Sequence, residues 1–268
     1  MSSNKFSLSD VAAYWDGNAD VWTEQVRQGR DSYRELFNNP AFLEFVGDLS
    51  GRRVLDAGCG EGHNTRLLAR RGALMAGVDI SSRMIQHARE EEATKPLGIR
   101  YEISSFSDLS AFEEASFDVV VSFMALMDGP DYQGAIQAIH RVLRPGGELV
   151  FSITHPCTHT AGLGWIRDEE GRYLKLTVSD YFAEGSQLSS WRFKGVPREE
   201  CAPFVVPRFP RTLSEYVNTL IEAGFILRRI AEPRPTAEAC QGRPWLQRWR
   251  DHAPIYLYVR ATAGVALT

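Results

Sequence analysis

The stretch VLDAGCGEGHNTRLLARRGALMAGVDIS, Val54 to Ser81, decides the fold. Val54 and Leu55 open a short apolar run that reads as a buried strand, because it ends in a loop where Gly58, Gly60 and Gly62 alternate with other residues. NTRLLARRG then reads as a helix, with Asn64 expected as its N-cap and Gly72 as its stop. ALMAGVDI is a second strand ending near Asp79, and SSRMIQHAREEE a second helix that opens at Ser81. Strand, glycine turn, helix and strand make a ligand site where the strands of an open sheet end.

Outward from this stretch the same rhythm continues. IRYEI and FDVVVSF read as strands three and four, and in YQGAIQAIHRVL the residues Ala135, Ile136, Ile139, Val142 and Leu143 share one helical face. RPGG is expected as a turn before a fifth strand, ELVFSI. From His155 to about Arg211 the rhythm breaks into Gly, Pro and aromatic residues, which suggests a functional insertion or lid. TLSEYVNTLIEAG restores it as a helix with a Thr212/Glu215 capping box and Gly224 as its stop. FILRRI and PIYLYVRA are two further strands, and the Pro-rich loop between them reads as too short for a crossover helix, so they should pair antiparallel. The expected architecture is α/β: a doubly wound, Rossmann-like, seven-stranded and mostly parallel sheet with antiparallel last strands and an inserted lid. Residues 1–50 are expected as an N-terminal helical cap, 51–154 with 211–264 as the ligand-binding domain, and 155–210 as the insertion.

Composition narrows the class. The chain has 268 residues, 44% hydrophobic and 24% charged, as an ordinary globular protein does. A net charge of −4 offers no field to attract nucleic acid or an anionic membrane. The 4 cysteines, Cys59, Cys157, Cys201 and Cys240, lie far apart, which fits reduced thiols and a cytoplasmic location. MSSNKFSLSD lacks the apolar core of a signal peptide, and no apolar run is long enough to span a bilayer. A monomer or homodimer acting on a small molecule is the expectation.

The glycine loop could be a turn without a ligand, but an acid at the strand end, alternate glycines, a helix start and a second acid together argue for one. A dinucleotide would set its pyrophosphate on the helix N-terminus, where Asp56 and Glu61 would repel it. The glycine spacing also departs from the dinucleotide pattern, whose third glycine comes three positions after the second. S-adenosylmethionine carries no phosphate and has two positive groups. Asp56 can face its cationic end, and Asp79 can accept both ribose hydroxyls.

VLDAGCGEG, GVDIS, FDVVVSF and RVLRPGG resemble the motifs of the class I S-adenosylmethionine-dependent methyltransferases, a likeness that covers roughly Arg52 to Ile153. The helix and two strands after Thr212 fit the same fold, and MALMD and SITHP are similar to a bacterial subgroup acting on small molecules. The resemblance implies S-adenosylmethionine as cofactor and S-adenosylhomocysteine as product. It implies that Asp56, Gly58, Cys59 and Gly60 contact the methionine end, that Asp79 holds the ribose, and that Ile80 and Met84 line the adenine site. Many relatives carry an acid after strand three; here SSFSDL puts Ser105 in its place, with Phe106 beside the ring, so a backbone carbonyl or the Ser105 hydroxyl would meet the adenine amine. Ser122, Phe123 and Met124, ending strand four, would sit near the transferred methyl.

Methyl transfer from a sulfonium needs alignment above all, which supplies up to roughly 7–11 kcal/mol in ideal systems. His155 in SITHPCTH is the candidate base, or else it anchors its loop. His159 is the weaker candidate, and the His155/His159 spacing lacks a third ligand for a metal. Cys157 after a proline is similar to the thiol nucleophile of RNA cytosine methyltransferases, a reading the acidic balance disfavours. Asp128 would touch a substrate amine or cap the next helix, a role for which Asp131 competes. Tyr14, Trp15 and Trp22 would cover the site or only pack, Tyr33 and Arg34 would reach the cofactor carboxylate or lie on the surface, and Trp165, Trp191 and Phe193 suggest an aromatic substrate pocket. Two other classes share parts of this pattern: an NAD-dependent oxidoreductase and a non-catalytic protein that binds a nucleoside cofactor.

Overall fold

The computed structural model describes residues 5–264 except 195 and 198, so the first four positions of the expected cap lie outside the described residues. The N-terminal part folds as α1 (Leu8–Arg27), a π-helical turn (Arg34–Asn38) and α2 (Asn39–Val46). Then come β1 (Arg53–Ala57), α3 (His63–Arg70), β2 (Leu74–Asp79), α4 (Ser82–Thr94), β3 (Arg100–Ile103), β4 (Phe117–Phe123), α5 (Tyr132–Val142) and β5 (Leu143–Thr154). The insertion forms β6 (Gly164–Arg167), β7 (Tyr173–Thr177), β8 (Gln187–Trp191) and β9 (Phe204–Arg208). The chain ends with α6 (Leu213–Glu222), β10 (Phe225–Ala231), α7 (Ala237–Cys240), α8 (Pro244–Asp251) and β11 (Tyr256–Ala263).

The seven-stranded sheet has the order β10-β11-β5-β4-β1-β2-β3. β11 pairs antiparallel with both β10 and β5, so it alone runs against the others, while the last two strands pair antiparallel as expected. Both faces are covered, which is why the strands read as unbroken apolar runs. Leu55, Val120 and Phe151 pack under α5 and α6, while Val54, Val119, Val121 and Val150 pack against α2, α3, α4 and α8. Each such side chain fully withdrawn from water contributes about 1.5–3 kcal/mol.

Several local expectations change. Helix α3 starts at His63 with Gly62 as its cap, because Asn64 is turned inward to hydrogen-bond Asn39 and Arg34. RPGG is absorbed into β5 as an irregularity: Phe117 pairs with Leu143 and Val119 already with Glu148. The β10–β11 connection holds two short helices, α7 and α8, rather than a bare loop. The insertion is two antiparallel hairpins, β6–β7 and β8–β9. The α6 capping box forms as expected, with Glu215 N–H donating to Thr212 Oγ1 at 3.2 Å and Thr212 N–H to Glu215 Oε2 at 2.5 Å. Among the described residues no helix is long and apolar enough to cross a membrane.

Strand order reverses between β1 and β4, and there the C-terminal ends of β1, β2, β4 and β5 open together. Helix α1 lies over that opening. Asp16 accepts from Ser81 Oγ at 2.6 Å, and Asn18 Nδ2 donates to the Val205 carbonyl of β9 at 3.0 Å.

Candidate active site

Under α1 and the β8–β9 hairpin lies a cavity of about 510 Å³, within the size range of small-molecule sites. Its floor is the β1 loop. Gly58 has φ +83°, and a Cβ there would stand 2.3 Å from the Ala125 Cβ, so only glycine passes this point. Gly60 also has a left-handed φ, +54°, but a Cβ on it would meet nothing within 4 Å; it faces free space in the cavity wall. A side chain here would fill the room the loop leaves for a ligand.

Two carboxyls frame that space. Asp56 is 1% exposed; Thr65 Oγ1 donates to its Oδ2 at 2.7 Å, and its Oδ1 is buried without a partner. Burial, reinforced by Asp79, pushes Asp56 up to about 7 against the Thr65 hydrogen bond. Asp79 receives the Gly60 N–H on Oδ2 at 2.8 Å and the Ser81 N–H on Oδ1 at 2.9 Å, so it clamps the loop to the start of α4. Burial raises it to about 6. The expected repulsion from Glu61 is corrected: Arg66 (2.8 Å) and Arg27 (3.2 Å) match its charge. The cationic preference of the site therefore rests on Asp56 and Asp79.

At one end of the cavity stand Arg34, Asn39 and Asn64, with Arg34 Nη2 donating to Asn64 Oδ1 at 3.1 Å while Arg34 Nε is buried without a hydrogen bond, 4.0 Å from Glu35. Tyr33 also lines the cavity, but its hydroxyl is taken, donating to the Trp245 carbonyl and accepting from Trp249 Nε1. At the other end Ile80, Met84, Phe106, Val11 and Trp15 make an apolar slot. The Ser105 hydroxyl lines it too, but is committed to its own turn through Ser107 Oγ (2.8 Å) and the Ser107 N–H (3.1 Å). The Ser105 carbonyl is engaged in the same turn, accepting the Asp108 N–H at 2.9 Å.

The donor set fits S-adenosylmethionine: an open backbone loop, one unpartnered carboxylate oxygen, a second carboxyl with lone pairs to spare, an arginine at the polar end and an apolar slot opposite. Gly58, Cys59 and Gly60 line the cavity as expected, and so do Phe123 and Met124. Met124 carries a left-handed φ of +55°, held by its N–H donating to the Ser152 carbonyl at 3.0 Å and lying 3.2 Å from Ser152 Oγ. Ser122 does not reach the cavity. It is fully buried and donates to the Ala57 carbonyl at 2.7 Å, joining β4 to β1.

The acceptor-side expectations divide more sharply. His155 is corrected: it is 3% exposed, lies outside the cavity wall, and uses both ring nitrogens. Its Nδ1 accepts the Cys157 N–H at 3.2 Å, which leaves the proton on Nε2, 2.8 Å from Glu232. It anchors the loop. His159 does line the cavity, with Nδ1 buried and unpartnered; burial and then Arg208 hold it down at about 4, so it is neutral. Asp131 caps α5 by accepting the Gly134 N–H at 2.8 Å, which frees Asp128 from that role. Asp128 turns into the cavity, where burial pushes it up to about 7 against the pull of Arg208 and Arg211.

Trp15, Trp22 and Trp191 form the roof, with Trp22 against Phe193 and Phe204. Tyr14 stays outside, edge-on to Phe6, and Trp165 packs away from the cavity on Trp249 and Tyr173. Cys157 also stands off the wall. Sequence reasoning missed Arg208 and Arg211. A period of two was there to read in PFVVPR: Phe204, Val206 and Arg208 alternate and all line the cavity or its roof, but the prolines obscured the strand.

Comparison with known proteins follows the same line. A family described as a methyltransferase domain matches residues 55–151. The chain is similar to an S-adenosylmethionine-dependent methyltransferase of Mesorhizobium loti, at 31% identity and TM-score 0.68, covering 83% of this chain and 96% of that one. It is 32% identical over 159 residues to a ubiquinone biosynthesis O-methyltransferase of Xanthomonas oryzae, an alignment covering 57% of this chain and 66% of that enzyme. An uncharacterized protein of Haemophilus influenzae is 27% identical over 267 residues, 97% of this chain and 98% of that one.

Proposed function

We propose that this chain, which belongs to the class I S-adenosylmethionine-dependent methyltransferases, moves a methyl group to an N or O atom of a small molecule. The observation that carries the reading is the pairing of Asp56 and Asp79 across an open Gly60 backbone, inside a cavity of about 510 Å³ that Asp128 and His159 also line. Bound S-adenosylmethionine supplies an electrophilic methyl on a sulfonium whose leaving group departs neutral.

The work left to the residues is placement. Asp79 fixes the loop that receives the nucleoside, Ile80, Met84 and Phe106 hold the base, and Arg34 answers the carboxylate. Phe123 and Met124 shape the wall where strand β4 ends, and the Trp15–Trp22–Trp191 roof keeps water out. With His155 engaged elsewhere, Asp128 is the group placed to take a proton from an N–H or O–H nucleophile.

Titration calorimetry tests the reading. Wild type is expected to bind S-adenosylmethionine and S-adenosylhomocysteine and to ignore NAD(H); the reverse pattern would overturn the assignment. Asp79→Ala should lose at least about tenfold in cofactor affinity, because it removes both the ribose acceptor and the loop clamp. A wild-type affinity in that variant would take Asp79 out of the site.

A further inference from the structure

Beyond the cofactor half, the cavity ends in a group of charges that the methyl-transfer reading does not use. Arg208, on the inner face of β9, and Arg211, just before α6, both line it. Among the described residues neither guanidinium pairs with a carboxylate. Arg208 donates to the His159 carbonyl, and Arg211 to the carbonyls of Met127, Phe209 and Gly129. Main-chain carbonyls satisfy N–H groups but leave the positive charge unbalanced. The Asp128 carboxyl faces both Arg208 and Arg211, and burial keeps that acid partly protonated near neutral pH. His159, whose carbonyl receives Arg208, is neutral. The acceptor side therefore holds two cations against at most one anion, in a partly desolvated pocket where a missing counter-charge is costly.

The walls beside these cations are aromatic. The Phe209 ring centroid lies 5.9 Å from the Arg211 guanidinium, and Tyr181, whose hydroxyl receives the Leu213 N–H at 2.9 Å, lines the cavity beside it. Flat walls accept a flat guest, and the arginines want an anion on it.

We propose that the methyl acceptor is a planar aromatic acid, its anionic group held by Arg208 with Arg211 behind it, and its N–H or O–H turned toward Asp128. The inference rests on the methyltransferase reading and narrows it to a substrate class. It makes Arg208 a residue that selects the acceptor and plays no part in holding the cofactor. In the transfer itself the nucleophile's lone pair forms the new bond to the methyl carbon, and the carbon–sulfur pair returns to sulfur. The displaced proton passes to the Asp128 carboxylate.

The test is a calorimetric comparison on enzyme saturated with S-adenosylhomocysteine, using three phenols of different charge: 4-hydroxybenzoate, phenol and tyramine. 4-Hydroxybenzoate should bind about tenfold tighter than phenol or more, and tyramine weakest of all. Arg208→Gln should erase the preference while keeping wild-type affinity for S-adenosylhomocysteine, which also shows that the variant is folded; Arg208→Lys should keep part of it. The proposal is overturned by equal binding of the three probes, by no binding of any, by a preference that survives Arg208→Gln, or by loss of S-adenosylhomocysteine affinity in that variant. Failure of wild type to bind S-adenosylhomocysteine would instead sink the methyltransferase reading beneath it.

Discussion

Asp56 carries a buried oxygen with nothing to receive, beside a second carboxyl, Asp79, that is half-buried. Both groups are raised, to about 7 and about 6, so the folded apoprotein holds protons that the unfolded chain has already released. Their contribution to stability is complete below the ordinary carboxylate range and is lost as pH rises through roughly 6–7. A cation entering the site reverses the preference, because it favours both ionised forms. S-adenosylmethionine affinity should therefore climb over that window, with protons released on binding. Calorimetry at pH 6.5 in buffers of different ionisation heat reads the release directly; Asp56→Asn should reduce it, and an unchanged value would refute the coupling. Glu61 offers a contrasting case. It is 2% exposed and paired with both Arg66 and Arg27, so Arg66→Ala leaves the half-exposed Arg27 as its partner and should cost about 1.5–3 kcal/mol in denaturant unfolding. At this scale the sequence was readable where function depends on neighbours in the chain, as with Asp56, Gly58, Gly60 and Asp79. It was unreadable where the deciding partner is distant: Glu232, far along the chain, turns His155 from base to anchor, and only the cavity separates Asp128 from Asp131.

Among the elements, α1 and the β8–β9 hairpin act as one cover. Their bond runs from Asn18 to the Val205 carbonyl, and their rings interleave through Trp22, Trp191 and Phe204. The hairpin has a wet side, where Leu188 is 48% exposed, and a cavity side that carries Ser189, Val206 and Arg208. Asn18→Ala removes a net ~1 kcal/mol of attachment. Amides of β8 and β9 should then exchange hydrogen faster in the free enzyme and recover protection when S-adenosylhomocysteine is bound; exchange identical to wild type would show that the hairpin holds itself. The capping box of α6 was plain in the sequence because its chemistry is local. The hairpins were not, because glycine and proline blur a two-residue period that is short to begin with.

For the whole molecule, alternating apolar runs and helical faces were enough to anticipate a doubly wound sheet, since a strand buried on both sides leaves few other arrangements. What they did not reveal is where the final strand goes. β11 is inserted between β5 and β10, and its Tyr258 hydroxyl reaches Asn38 Oδ1 at 2.9 Å at the other end of the chain. A protein truncated before Tyr256 should therefore be recovered as aggregate, and a soluble, cofactor-binding product would disprove this. For a ribosome the arrangement imposes a schedule. Everything up to Ala231 emerges while the middle of the sheet still has a gap, with bare β5 and β10 edges facing it. Folding of this enzyme is thus completed only after translation has reached its last strand, and the nascent chain must be kept from neighbouring polypeptides until then.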